Sequence, residues 1–344
     1  MVSTILSGMR PTGRLHIGHL VGALDNWVEL QEKYKSYFFV ADWHAITTQT
    51  DTREIIPNAL EMAKDWIAAG INPNKSTLFI QSQVPQHSEL HLIFSMLNTL
   101  PRLERVPSFK GQMAHLLGVH SDGEDLKQED ITKAKSEISY GFLGYPVLQA
   151  ADILIYKADG VPVGEDQLPH LELTREIARR FNSLYGEVFP EPEALLTNTP
   201  RVLGTDGRKM SKSYGNVVLP TDDLETITKG VKKMVTDPAR KRREDPGQDP
   251  YSCSVYALHL AYNDPDRQIE ILKECTSARI GCGDCKLQAA SKIAEKYADY
   301  RERRAELEGD ESKIREILMD GSSDARKVAA QTLKEVKEYL LFDY

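Results

Sequence analysis

A chain of 344 residues, 41% hydrophobic and 27% charged, is long enough for more than one domain and has the composition of a folded globular protein, not a disordered one. Its net charge of -8 argues against a uniformly basic nucleic-acid coat, although the short run Arg240-Lys241-Arg242-Arg243 could serve either as a local binding patch or as solvated surface. No stretch approaches the ~18 apolar residues of a membrane span, and residues 1–6 lack the basic end and apolar core of a signal peptide, so a cytoplasmic protein is expected.

Residues 2–8 are a short apolar run leading into the turn Gly8-Met9-Arg10-Pro11-Thr12-Gly13, and residues 18–34 carry helical periodicity. Strand, Gly/Pro turn and helix in that order open a nucleotide-binding α/β domain. Further strand-like runs fall at 37–41, 76–81 and 153–156, and amphipathic stretches at 53–69 and 168–184. This alternation predicts a parallel sheet covered on both faces, with ligands at the carboxyl ends of its strands. The pattern breaks between about 100 and 140, where the polar, charged stretch 120–138 reads as an insertion. Pro220-Thr221-Asp222-Asp223 has the residues of a helix start, and from there to residue 344 the pattern is helical. The expected fold is α/β: a Rossmann-like parallel-sheet catalytic domain over 1–220, with a segment inserted at about 100–140, followed by an all-helical domain over 221–344.

Two strings carry the chemistry. His16-Ile17-Gly18-His19 stands at the start of the first expected helix. There imidazoles, free backbone amides and the helix dipole suit phosphate oxygens, and Gly18 lets a ligand approach the backbone. Lys209-Met210-Ser211-Lys212-Ser213 follows the flexible turn Gly204-Thr205-Asp206-Gly207. Its lysines can offset charge on bridging and leaving oxygens, and its serines can donate hydrogen bonds. Each string alone reads equally as an ordinary turn or a solvated lysine loop. Together, in this order, they resemble the class I aminoacyl-tRNA synthetases.

Longer runs narrow the resemblance. Tyr145-Pro146-Val147-Leu148-Gln149-Ala150-Ala151-Asp152-Ile153-Leu154, Val161-Pro162-Val163-Gly164-Glu165-Asp166-Gln167, Ala41-Asp42-Trp43-His44-Ala45 and Thr236-Asp237-Pro238-Ala239-Arg240 make the chain similar to the bacterial-type tryptophanyl-tRNA synthetases along nearly its whole length. The resemblance implies ATP-dependent activation of L-tryptophan and transfer to tRNA(Trp). It also implies Mg²⁺ on the phosphates and a homodimer joined through the nucleotide domain. The implied catalytic residues are His16, His19, Lys209, Lys212 and Ser213. The implied ATP site comprises Arg10, Pro11, Thr12, Gly18 and His19, then Gly164, Glu165 and Asp166 at the ribose, Val202 near adenine, and Lys209, Met210, Ser211, Lys212 and Ser213 over the phosphates. Lys110 is either a further phosphate contact or a surface lysine. Asp152 would accept from the indole N–H, a group that only donates and so calls for a buried acceptor. Tyr145 and Gln167 would hold the amino and carboxylate end of tryptophan, while Val161, Val163 and Leu6 would wall the ring. Relatives often carry Gln at the position of Arg10 and an aromatic residue at that of Leu6, which leaves the Arg10 side chain and one wall of the pocket open.

The four cysteines, Cys253, Cys275, Cys282 and Cys285, are separated by twenty-one, six and two residues. Such clustering in a cytoplasmic chain points to a metal site ahead of disulfides. One C-x-x-C knuckle, with Gly283 letting the chain fold around a metal, and two isolated cysteines resemble the iron–sulfur variant of the family. A [4Fe–4S] cluster is therefore expected ahead of Zn²⁺, and Zn²⁺ ahead of four free thiols. It would shape a tRNA-contacting loop beside residues 240–243. Three rival readings stay open: a tyrosyl-type synthetase, another nucleotidyl transferase with the histidine motif, and a catalytically silent tRNA-binding paralogue.

Overall fold

In the computed structural model, which describes residues 3–116, 128–196 and 202–342, five strands form one parallel sheet. They are β1 (Thr4–Met9), β2 (Lys35–Val40), β3 (Ser76–Ile80), β4 (Gly160–Val163) and β5 (Glu193–Leu196), in spatial order β3-β2-β1-β4-β5. β1 pairs with β2 along its whole length, from Thr4 against Lys35 to Met9 against Val40, but meets β4 only at Ile5 and Gly160. The chain's winding direction reverses across that β1–β4 seam, which leaves a crevice at the carboxyl ends of the two strands.

Successive strand residues face two separate cores. Ile5, Phe38, Val40, Leu78 and Ile80 belong to one, while Leu6, Tyr37, Phe39 and Phe79 belong to the other. Burial on both faces is why these strands read as unbroken apolar runs. Around them pack α1 (Ile55–Ala69), α2 (Tyr140–Ile155) and α3 (Leu168–Tyr185). The helical stretch 17–30 follows β1, and its segment Leu20–Leu24 is π-helical. After residue 220 the described residues contain helices and no strand; among them are α4 (Leu224–Lys233), α5 (Cys282–Lys296), α6 (Ala298–Leu307) and α7 (Glu311–Tyr339). Asp223 caps α4 by accepting from the Thr226 amide at 2.7 Å, which fits the helix start read there.

One expected strand is a helix. Residues 153–156 end α2, and the strand of that region is β4, a few residues later. A short, fully buried apolar run has no periodicity to separate a helix turn from a strand, so the pattern could not decide. β5 carried no signal that was read. The region 100–140 holds helices Leu100–Glu104, Pro107–Leu116 and Gln128–Glu137; the rest of the expected insertion, 117–127, lies outside the described residues.

The last helix returns to the sheet. α7 lies against the edge strand β3, where the Ile80 amide donates to Ser322 Oγ at 3.1 Å and the Ser322 hydroxyl donates to the Leu318 carbonyl at 2.6 Å. A helix laid over an edge strand protects backbone groups that would otherwise invite pairing. Contact is close enough that a Cβ on Gly321 would stand 1.9 Å from the Leu78 carbonyl oxygen. Replacing Gly321 by Ala must therefore push α7 off β3, and we expect a loss of about 2 kcal/mol or more in urea unfolding. A wild-type midpoint for Gly321→Ala would show that the helix is not seated this closely.

Candidate active site

The histidine turn grows directly out of β1. Gly13 takes φ +80°, and a side chain there would also strike Asn58, so the turn needs glycine. The rings of His16 and His19 stack with centroids 3.7 Å apart. His19 Nδ1 accepts from the His16 backbone amide at 3.3 Å, which leaves the proton of a neutral His19 on Nε2, a donor for an anion. Burial, then the charges of Lys212 and Lys209, push His16 down to about 4. Burial, then His16 and the same lysines, push His19 down to about 3. Both rings are neutral at pH 7, which suits donors to an anion but adds no positive charge.

The positive charge comes from the lysine loop, which is docked on this turn. Lys212 Nζ donates to the Thr12 carbonyl at 2.5 Å. Met210 is buried and anchors the loop in the same core as Ile17, Val202 and Val218. Asn216, 1% exposed, holds the loop's backbone: its Oδ1 accepts from the Ser211 amide at 2.8 Å and its Nδ2 donates to the Lys209 carbonyl at 3.1 Å. Lys209 and Lys212 themselves are exposed. Ser211 and Ser213 bond each other through their hydroxyls at 2.8 Å.

A cavity of about 470 Å³ opens beside this turn at the carboxyl ends of β1 and β4. Leu6, Tyr145, Asp152, Val161, Val163 and Gln167 all line it, as do Arg10 and Gly164. Tyr145, Gln149 and Asp152 follow one another at helical spacing along α2 and share its cavity face. Arg10 is tied down: its guanidinium donates to the Ala45 carbonyl at 3.3 Å and to Thr48.

Asp152 is fully buried yet well supplied with donors. His44 Nε2 lies 2.8 Å away, His87 Nδ1 2.6 Å, and Gln81 Nε2 spans both oxygens at 2.8 and 2.9 Å. Burial alone would raise its carboxyl, but the bonds from His44 and His87 hold it well below the usual carboxylate range. Tyr156 touches the far side of His87, Oη to Nε2 at 2.7 Å, and burial keeps that phenol protonated. A neutral His87 accepts from Tyr156 at Nε2 and donates its Nδ1–H to Asp152. A second chain orients Gln167: His170 Nε2 meets Tyr145 Oη at 3.1 Å and Ser108 Oγ at 3.0 Å, His170 Nδ1 meets Gln167 Oε1 at 3.0 Å, and Gln167 Nε2 donates to Asp166 at 2.8 Å. Gln81 and His87 escaped the sequence reading because their partner Asp152 stands far along the chain; His170 and Asn216 have partners nearby as well, but lie in no pattern that marks them. His44 sat in a quoted string without an assigned role.

The remaining site residues fall as follows. Pro11 is buried and Thr12 exposed on the turn; Gly18 lies over the His16 ring, where a Cβ would be 3.0 Å from Nδ1. Glu165 and Asp166 are exposed after β4, and Val202 is 8% exposed, packed in the core away from the cavity lining. Lys110 falls in helix Pro107–Leu116, and its side chain lies outside the described residues.

Cys253, Cys275, Cys282 and Cys285 are free and line one small second cavity with Asp237 and Arg240. Among the described residues, no three His, Cys, Asp or Glu side chains are gathered as a single metal ion requires. Burial, then the neighbouring thiols, push Cys285 up to about 12, so cationic charge is needed to make thiolates here. Two expectations change. Cys282 to Cys285 is the first turn of α5 and not a loop, and a Cβ on Gly283 meets nothing. Arg240 is not part of a basic surface: it is 8% exposed and donates to the Ile280 carbonyl, to the Arg243 carbonyl at 3.0 Å and to Cys275 Sγ at 3.6 Å. Lys241 and Arg242 are exposed, and Arg243 lies 3.5 Å from Asp284.

The lowered histidines set a pH dependence. With folded values below the ordinary 6.5, their contribution to stability is present above pH 6.5 and lost as pH falls through it towards 4. Imidazole NMR titration should show His16 and His19 neutral down to about pH 5. Midpoints near 6.5 would mean that the two rings are not buried in this turn in solution.

Known proteins resemble the chain along nearly its whole length. The profile of the family "tRNA synthetases class I (W and Y)" matches residues 2–298. The tryptophan–tRNA ligase of Thermotoga maritima is 49% identical, with 97% of each chain covered. That of Aquifex aeolicus is 43% identical, with 97% of this chain and 98% of the relative covered. Among solved structures, the Campylobacter jejuni tryptophanyl-tRNA synthetase complexed with ADP and tryptophan superposes with a TM-score of 0.78 at 32% identity, covering 98% of this chain and 99% of that one. The chain belongs to the class I tRNA synthetases, in the tryptophanyl-tRNA synthetase family.

Proposed function

We propose that the protein activates L-tryptophan with ATP to tryptophanyl-adenylate and pyrophosphate, then transfers the tryptophanyl group to tRNA(Trp). The observation that carries this reading is a cavity lined by a buried acceptor, Asp152, and by Met9 and Arg10, from which the chain runs on into the turn where neutral imidazoles and lysines converge. The tryptophan carboxylate is already ionised, so no protein base is required. Positioning and charge stabilisation at the α-phosphate supply the rate. His16 and His19 donate to phosphate oxygens, while Lys209 and Lys212 offset charge on the departing pyrophosphate. Pro11, Thr12 and Gly18 form the floor, Gly164, Glu165 and Asp166 take the ribose, and Mg²⁺ rides on the phosphates, held mainly by ATP and water. Val202 backs the adenine side from within the core.

A carboxylate has about four acceptor positions, and the bonds from His44, His87 and both contacts of Gln81 fill them. The indole N–H would take the place of one of Gln81's two contacts. Tyr145 and Gln167 hold the amino-acid end, and Leu6, Val161 and Val163 wall the ring. Phenylalanine would bring no N–H to Asp152, and a rejection of ~10⁴ is expected.

We assign residues 1–220 to the catalytic domain, with 100–140 inserted, and 221–344 to tRNA binding, with Lys241 and Arg242 as candidate contacts. A cytoplasmic homodimer completes the reading. Four thiols lining one cavity support a group held by all four, and the one C-x-x-C knuckle with two isolated cysteines favours a [4Fe–4S] cluster over Zn²⁺. The cluster would supply structural cross-linking of the helical region.

Tryptophan-dependent ATP–pyrophosphate exchange tests the function. Asp152→Ala should cut kcat/KM for tryptophan by about 10³ or more while ATP binding changes little. Wild-type exchange in a folded Asp152→Ala protein would remove Asp152 from the site, and exchange with tyrosine instead of tryptophan would favour the tyrosyl reading. For the cysteines, protein purified without oxygen should carry a visible charge-transfer band and acid-labile sulfide, both lost in Cys282→Ser. Colourless, sulfide-free protein would end the cluster proposal.

A further inference from the structure

Directly ahead of His16 the backbone is held by an ionic cluster that the reaction does not use. Asp65, on α1 and 1% exposed, accepts from the Leu15 amide through Oδ2 at 2.6 Å. Its Oδ1 accepts from Tyr300 Oη at 2.7 Å and Arg304 Nε at 2.9 Å, both on α6. Arg304, itself 1% exposed, also donates to Glu61 at 2.6 Å, and its Nη1 lies 2.9 Å from Glu308 without hydrogen-bond alignment. Arg14 reaches the same two acids, Glu61 at 3.1 Å and Glu308 at 2.8 Å, and Lys64 pairs with Glu61 at 2.8 Å. Three acids and three bases thus join the histidine turn, α1 and α6.

Stability alone is a poor reason for such a cluster, because apolar residues of similar volume often hold a fold as well as a buried ion pair does. Its particular yield is geometric. It fixes one backbone amide, the one adjoining His16, against a carboxylate whose own direction is set by two side chains of the helical region. The turn is gripped at its other end by Lys212 on the Thr12 carbonyl.

We propose that Asp65 is a positioning residue for the phosphate turn, braced by Tyr300 and Arg304, so that the seating of α6 sets the placement of His16 and His19. This rests on the reading of that turn as the triphosphate site. None of the cluster's residues lines the tryptophan cavity, so the effect belongs to the activation rate and not to tryptophan binding.

Asp65→Asn keeps the shape and removes the charge that orients Arg304. In pyrophosphate exchange it should lower kcat by about 30-fold, the scale of a sub-ångström misplacement, with the KM for tryptophan changed by less than about twofold. Tyr300→Phe, which deletes one hydrogen bond and keeps the ring in the core, should lower kcat about threefold in the same pattern and serves if Asp65→Asn does not fold. In both variants the imidazole NMR signals of His16 and His19 should shift without substrate present. Unchanged kcat and unchanged imidazole signals in a folded variant would overturn the proposal. So would a kcat loss matched by an equal loss of folded protein. If the wild type fails to exchange tryptophan at all, the functional reading fails, while the imidazole signals still decide whether Asp65 places the turn.

Discussion

On the proposed reading, a triphosphate is bound and attacked only if the turn between β1 and the first helix stays in one place, and three hydrogen bonds from two distant parts of the chain hold it. The Thr12 carbonyl takes Lys212, the Leu15 amide gives to Asp65, and the Ile17 amide gives to the Val218 carbonyl at 3.0 Å. Each is a single hydrogen bond, worth little alone. Together they clamp a short stretch from the lysine loop, from α1 and from the residues that leave that loop. The stacked imidazoles inherit that placement.

The same logic of buried donors and acceptors governs the amino-acid side. Asp152 would be costly to bury unpaired. His44, His87 and Gln81 remove most of that cost by supplying donors to both oxygens. On the proposed reading, selectivity for tryptophan follows from an indole N–H that replaces one Gln81 contact, which a ring without a donor cannot do. Leu6 in place of an aromatic wall matters less on this account.

The helical region is more than an appendage. Its side chains Ile227, Val231, Ile293, Tyr300 and Leu318 share a core with Ile5 and Phe38 of the sheet, and α7 shields β3. Arg240, read as a surface charge from its run of basic neighbours, is spent inside the cysteine cavity on carbonyls and a thiol. A charge run in a sequence gives no information on which member turns inward, because burial of an arginine depends on acceptors contributed from elsewhere.

What the sequence by itself determined was local and repetitive. Unbroken apolar runs marked β1, β2 and β3, 3.6-residue periodicity marked α1 and α3, and Pro220-Thr221-Asp222-Asp223 marked the start of α4, since each signal is written in neighbouring residues. The histidine and lysine strings were legible for the same reason. Tertiary structure alone decided that residues 153–156 continue a helix, that Asp152 is held by His44, His87 and Gln81, and that Asp65 and Arg304 meet across 239 positions. Hydrogen bonds and ion pairs between such positions leave no periodicity, because any acceptor can be matched by any donor that the fold happens to bring within 3 Å.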